Sequence, residues 1–168
     1  MFGSGQIFLN LSFYAILPVA LIFYYVYKRD KFPEPPRVVL ITFLLGIATT
    51  FPIGILIIAV EGFLETLDLG IEGSNFYMSF IRAAFLEEVA KWIVLIFYCT
   101  KLTDFNEPID AIVYGVAVSL GFAAYENFEY VSYAFLEGGE DEASSTALIR
   151  SFTAVPLHAL AGIFMGFF

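Results

Sequence analysis

Residues 38–60 of the chain read VVLITFLLGIATTFPIGILIIAV and contain no charged side chain. A helix of this length, rising about 1.5 Å per residue, can cross the roughly 30 Å hydrocarbon core of a bilayer. Other apolar stretches of similar length stand on both sides of it, and the sequence predicts about five transmembrane helices: residues 7–27, 38–60, 76–100, 109–135 and 147–168. The predicted fold class is therefore all-α, a polytopic transmembrane helix bundle in which residues 1–168 form a single domain.

The composition supports a membrane protein and excludes other classes. Hydrophobic residues make up 60% of the 168 residues, whereas a soluble domain contains about 45–50% apolar residues. A soluble chain this short has too little interior to bury so much apolar surface, and a disordered chain is far less apolar. The net charge is −9, with only eight Lys and Arg. This charge excludes nucleic acid as a partner, because binding to phosphates needs basic residues.

The charges of the loops predict an orientation in the membrane. The connection before residue 38 contains four basic residues and three prolines, whereas the connections at 61–75 and 136–146 contain only acidic charges. Basic loops stay on the cytoplasmic side. We therefore expect an integral membrane protein with the Pro-rich first loop in the cytoplasm, the two acidic loops outside and the N-terminus outside.

Charged side chains inside the predicted spans are the informative exceptions. Each costs roughly 2.5–3.5 kcal/mol at the bilayer centre, so we expect them to face the bundle interior and to pair with one another. On the third span, Lys91 is spaced to reach Glu87 or Glu88. Counted at about 1.5 Å per residue, Glu87 and His158 lie roughly 16 Å below the outer boundary and Glu126 roughly 13 Å. The sequence thus predicts one polar layer shared by three helices.

This layer contains the groups needed to activate water. A buried carboxylate beside a second one can act as a general base, and His158 with Asn127 can polarise a carbonyl or stabilise an oxyanion. Alternatively, Glu88, Glu126 and His158 can hold a zinc ion that generates hydroxide. No HExxH pattern marks a metal-binding helix, so the residues leave open whether the cofactor is zinc or none.

Two other functions stay open from the residues alone. Intramembrane acids with a lysine also suit a proton- or ion-coupled transporter, although transporters usually contain repeated halves and the spans show no repeat. A non-catalytic scaffold that binds another protein's transmembrane helix would use the polar layer only to hold the bundle together, and its layer would be sealed and dry. A peptidase instead requires a cavity at which the carboxylates and His158 converge.

Four stretches, taken in order, resemble the PrsW family of intramembrane proteases, which is similar to the CAAX-type prenyl-protein membrane proteases. The stretches are RDKFPEPP at 29–36, EEVAKW at 87–92, GFAAYEN at 121–127 and RSFTAVPLHAL at 150–160. The family pattern continues with further helices, whereas this chain stops at Phe168 inside an apolar run. We therefore expect the sequence to be truncated at its C-terminus.

The resemblance implies a membrane-embedded protease. Members of this family cleave membrane-anchored anti-sigma factors on the outer side, so the implied partners are a membrane-anchored protein substrate and the lipid bilayer. The implied catalytic residues are Glu87, Glu88, Glu126 and His158. The implied supporting residues are Lys91, Asn127 and Arg150.

Overall fold

A computed structural model describes residues 4–67 and 70–168, with the side chains at 4–12, 14–15, 65, 78–79 and 83–84 excepted. All regular structure within these ranges is helical, which confirms the all-α fold class. The elements are α1 (Ser4–Tyr27), α2 (Pro36–Glu65), α3 (Gly70–Phe76), a π-helical segment (Tyr77–Leu86), α4 (Glu87–Phe97), a 3₁₀ turn (Cys99–Lys101), α5 (Pro108–Phe152) and α6 (Ala154–Phe167).

Helices cover all five stretches predicted as spans. Two helical stretches of the described residues, Pro36–Leu64 and Pro108–Phe167, are long and apolar enough to cross a membrane, and Ile16–Tyr27 is a shorter apolar helix. The count of five transmembrane spans stays a prediction.

Gly139 divides the long helix α5 into two limbs, residues 108–138 and 140–152. Its φ of 79° lies in the left-handed region, which glycine adopts without a steric penalty. Val131 and Ala134 of the first limb form one buried cluster with Ala143 and Ala147 of the second limb. The chain therefore reverses at a single glycine, and the acidic stretch that we expected as a loop is helical on both sides of it.

The first limb of α5 forms the centre of the bundle, and every residue from Val113 to Ala124 is buried. Helices α1 and α6 pack on one side of it, through a cluster formed by Val19, Val116, Leu120, Ala124, Val155 and Ala159. Helices α2 and α4 pack on another side, through a cluster formed by Val39, Leu95, Cys99, Val113, Tyr114 and Ala117.

Small residues bring the backbones of neighbouring helices into contact with α5. A Cβ added at Gly162 of α6 would lie 2.6 Å from the carbonyl oxygen of Gly115, and one added at Gly46 of α2 would overlap the carbonyl oxygen of Val118. Membrane helices use such small residues to approach closely. The contact at Gly162 also brings His158, one turn earlier on α6, within reach of α5.

Candidate active site

Four helical segments bring the predicted polar residues together. Glu87 and Glu88 begin α4, directly after the π-helical segment, and Lys91 follows one turn later. Glu126 and Asn127 lie in the first limb of α5. The second limb contributes Arg150, and α6 contributes His158. The sequence did not predict the π-helical segment. Such wide helical turns are rare in proteins, and those that do occur are often found at functional sites.

Lys91 links two of these helices through its side chain, which has no exposed surface. Its Nζ donates to Oε1 of Glu88 at 2.6 Å and contacts Nδ1 of His158 at 3.0 Å. An ammonium group can only donate, so Nδ1 accepts and the ring proton resides on Nε2. The ring of Phe122, with its centroid 4.2 Å from Nζ, covers the charge from another side.

Glu126 is held by two donors on the same oxygen. Its Oε2 lies 3.0 Å from Nε2 of His158 and 2.6 Å from Nη2 of Arg150. The Nε of Arg150 donates to Oδ1 of Asn127 at 2.7 Å, and its guanidinium carbon lies 4.1 Å from the ring centroid of Tyr130. Asn127 and Tyr130 thus hold the guanidinium of Arg150 in the orientation in which it donates to Glu126.

Glu87 completes the layer. Its side chain is buried, and it offers a ligand oxygen that lies within 4.8 Å of ligand atoms of Glu126 and His158. Neighbouring residues on a helix point about 100° apart, so Glu87 and Glu88 take different positions. Glu88 pairs with Lys91, and Glu87 joins Glu126 and His158 in the cluster that can hold a metal ion, where the sequence analysis had placed Glu88.

A cavity of about 410 Å³ opens at this layer, between α2, the π-helical segment and α5. Glu87 and Glu126 stand in its wall, and apolar side chains of α2 such as Ile53 and Ile57 line the opposite side. Among the described residues, the polar layer is therefore not fully enclosed, because this cavity reaches two of its carboxylates. The role of α2 was missed in the sequence, because its uncharged residues give no signal that distinguishes a cavity wall from a lipid-facing side.

An ion pair lies along the same cavity. Nη1 of Arg82 is 3.9 Å from Oε1 of Glu61, and both residues line the cavity together with Glu129 and Tyr130. Arg82 is therefore a counter-ion of an acid on α2.

All seven residues predicted as catalytic or supporting are thus placed in one polar layer, and six of them form a continuous chain of hydrogen bonds. That chain runs Glu88, Lys91, His158, Glu126, Arg150, Asn127. The roles of the individual residues stay predictions.

Known proteins are similar in sequence to this chain over most of its length. The model of the PrsW family intramembrane metalloproteases matches residues 34–168. Protease PrsW of Bacillus subtilis is 37% identical over 154 residues, which cover 91% of this chain and 64% of that protein. Protease PrsW of Geobacillus kaustophilus is 38% identical over 152 residues, covering 89% of this chain and 60% of the relative.

A relative with lower sequence identity matches a similar share of the chain. Protease PrsW of Clostridioides difficile is 31% identical over 162 residues, covering 95% of this chain and 65% of the relative. The chain thus spans between 60% and 65% of the length of these three relatives. No solved structure matches the chain.

Proposed function

We propose that this protein is an intramembrane peptidase, since the chain belongs to the PrsW family of intramembrane metalloproteases. The observation that carries the proposal is that Glu87 and Glu126 stand in the wall of a cavity while His158 contacts Glu126 in the same cluster. Hydrolysis of a peptide bond inside a bilayer needs a base for water, positive charge near the carbonyl oxygen and space for the substrate. The polar layer and its cavity offer all three.

Glu87 is the general base in this proposal. The oxygen of Glu126 that faces His158 already accepts hydrogen bonds from two donors, which stabilise it as a carboxylate. Glu87 takes a proton from water while the water oxygen bonds to the scissile carbonyl carbon. The same proton then passes to the amide nitrogen as the C–N bond breaks, which yields a carboxyl group and an amine.

Lys91 and Arg150 supply positive charge to the layer, and His158 supplies an N–H donor. Lys91 donates to Nδ1 of the imidazole, which polarises the ring and strengthens Nε2–H as a donor. Such fixed donors and charges stabilise the oxyanion that develops during acyl transfer. Glu88 and Asn127 position these cations by accepting from Lys91 and Arg150.

The residues present also fit the metal ion that the family name implies. Two carboxylates and an imidazole within 4.8 Å match the three-ligand pattern of catalytic zinc sites. Glu87, Glu126 and His158 would hold the ion, which would polarise a carbonyl and activate water when bound. Glu87 would then be a ligand, and its role as general base applies to hydrolysis without the ion. Metal ligands must be deprotonated, so a metal ion held by these residues would compete with protons, and we expect zinc uptake to be weaker at lower pH.

The substrate in this proposal is a membrane-anchored protein similar to an anti-sigma factor. The apolar wall contributed by α2 suits a segment that emerges from the bilayer, and the acidic and basic groups of Glu61 and Arg82 stand along the same cavity. With five spans, the N-terminus outside and the Pro-rich loop in the cytoplasm, the cleaved bond lies toward the outer side. Labelling of single cysteines in that loop with membrane-impermeant reagents tests this orientation.

The proposal is tested by cleavage of a membrane-anchored reporter by the chain reconstituted in nanodiscs. We expect Glu87→Gln and His158→Ala to lower the cleavage rate about 100-fold or more, the usual contribution of a general acid or base. Glu140→Gln makes the same chemical change at an exposed position and should leave the rate unchanged. Undiminished cleavage by both site variants, with folding confirmed by thermal melting, would contradict the assignment.

A further inference from the structure

A second acidic cluster lies at the opposite end of the bundle. Asp30 and Glu34 come from the connection between α1 and α2, and Asp110 lies in the first turn of α5. Asp110 precedes Glu126 by about four and a half turns, so roughly 24 Å of helix separates this cluster from the polar layer. A ligand oxygen of each of the three acids lies within 4.8 Å of the other two, which defines the acidic cluster.

All three side chains are buried, with residue exposures of 5% for Asp30, 4% for Glu34 and 1% for Asp110. The connection that the sequence marks as a solvated, basic loop therefore folds its two acids inward. None of the Lys and Arg side chains that the structure describes forms an ion pair with the cluster; the nearby Arg29 instead donates to the hydroxyl of Tyr25 at 2.8 Å.

Hydrogen bonds hold one oxygen of each acid in place. The amide of Phe32 donates to Oδ1 of Asp30 at 2.9 Å. The amide of Glu107 donates to Oδ2 of Asp110 at 2.6 Å, and the hydroxyl of Tyr114 donates to Oε2 of Glu34. These donors are two backbone amides and one tyrosine hydroxyl, and they orient one oxygen of each of the three acids.

One oxygen in the cluster is left without a partner. Oδ2 of Asp30 is buried and accepts no hydrogen bond, although a buried acceptor without a donor costs roughly 1–3 kcal/mol. The cluster thus contains negative charge and an open acceptor, and it lacks a positive partner among the described residues.

We propose that Asp30, Glu34 and Asp110 bind a hard divalent cation, Mg²⁺ or Ca²⁺. The donors are all oxygens, which these ions prefer, whereas zinc sites are built mainly from nitrogen and sulfur. The ion supplies the missing positive charge and takes the free oxygen of Asp30. It joins the Pro-rich connection to the start of α5 and takes no part in hydrolysis.

Binding is tested directly with Mn²⁺ as a paramagnetic probe, on the chain in nanodiscs after removal of metals with EDTA. We expect saturable Mn²⁺ binding that Mg²⁺ or Ca²⁺ displaces, and a melting temperature that either ion raises above the value at matched ionic strength. The ion that displaces Mn²⁺ at the lower concentration is the preferred one. No saturable binding to the wild-type chain, or an effect equalled by NaCl, would overturn the proposal.

Variants separate the two ends of the molecule. Asp30→Asn should weaken Mn²⁺ binding at least tenfold, whereas Asp104→Asn, the same change in the neighbouring connection, should leave it within a factor of two or three. Glu87→Gln should retain the site, because it removes a ligand only from the polar layer. Loss of the signal in Glu87→Gln and its retention in Asp30→Asn would assign the ion to the polar layer and refute the proposal. If Asp30→Asn fails to fold, saturable Mn²⁺ binding to Glu87→Gln that Mg²⁺ or Ca²⁺ displaces decides instead, and its absence there would overturn the proposal.

Discussion

The two ends of this bundle bury acidic residues in opposite ways. In the polar layer, Glu88 and Glu126 each meet a basic side chain of the chain itself, Lys91 and Arg150, and the layer opens on a cavity. In the acidic cluster, no Lys or Arg that the structure describes pairs with the carboxylates. In the proposed function, the first arrangement keeps charged groups next to the substrate. In the proposed cation site, the second arrangement is neutralised by an ion from outside the chain.

The largest effect should follow from removal of Lys91. Lys91→Met leaves Glu88 without its ion-pair partner and removes the donor to His158. Lys91 is buried and Glu88 only partly so, so we expect a loss of stability of up to about 3 kcal/mol, the lower end for a buried pair. Peptidase activity should fall at least about 100-fold with it. Thermal melting and reporter cleavage measure the two effects. Lys101→Met is the matched control, since Lys101 is exposed and only its contact with the ring of Phe97 is lost.

A smaller effect should follow from Arg150→Lys. This substitution keeps the positive charge but removes the planar guanidinium, which donates to two residues at once. The ammonium cannot bond Glu126 and Asn127 in the same planar geometry, so Glu126 loses its fixed orientation. Outer partners of this kind change metal affinity about 10–100-fold. We expect zinc affinity and cleavage to fall together within that range, while Mn²⁺ binding at the acidic cluster is unchanged. If zinc affinity at the polar layer and Mn²⁺ binding at the acidic cluster fell together, the substitution of Arg150 would act by perturbing the whole fold.

Gly162→Ala should separate α6 from the centre of the bundle. Its new methyl group would lie 2.6 Å from the carbonyl oxygen of Gly115, and overpacking of this kind costs about 1–3 kcal/mol. Gly62→Ala meets no atom within 4 Å and should leave the melting temperature nearly unchanged. Equal melting temperatures for the two variants would contradict the close contact of α5 with α6.

The smallest effect should depend on the medium. In EDTA at pH 8, Glu34→Gln removes one of three mutually repelling acids, and we expect it to stabilise the chain by about 1 kcal/mol. In Mg²⁺ or Ca²⁺ the same variant lacks a ligand and should be less stable than the wild type. Chemical denaturation in the two media measures both differences. Destabilisation of equal size in both media would mean that Glu34 is simply a packing residue.

The helical class and the polar layer could be predicted from the sequence, because both follow from counting along helices. The apolar stretches predict the helices, and similar depths below the outer membrane boundary place Glu87, Glu126 and His158 in one layer. The choice between Glu87 and Glu88 could not be predicted, since it depends on the helical phase at which α4 begins.

Features that depend on tertiary contacts were also beyond the sequence. The reversal at Gly139 needs the packing of Ala143 against the first limb of α5, because an acidic stretch is compatible with either a loop or a helix. The acidic cluster could not be predicted, because Asp30 and Glu34 stand in a basic, Pro-rich stretch that resembles an ordinary cytoplasmic loop. The buried side chain of Glu34 accepts from the hydroxyl of Tyr114, which lies far along the chain, and such a contact cannot be predicted from the local sequence.

The π-helical segment Tyr77–Leu86 determines which acid of the following pair reaches the active layer. Deleting a single residue within it would turn the start of α4 by about 100°, and Glu88 would then occupy the place of Glu87. The identity of the reactive carboxylate therefore depends on the length of a segment that contributes no carboxylate to the polar layer. In this molecule, the spacing before two adjacent glutamates decides which of them faces His158.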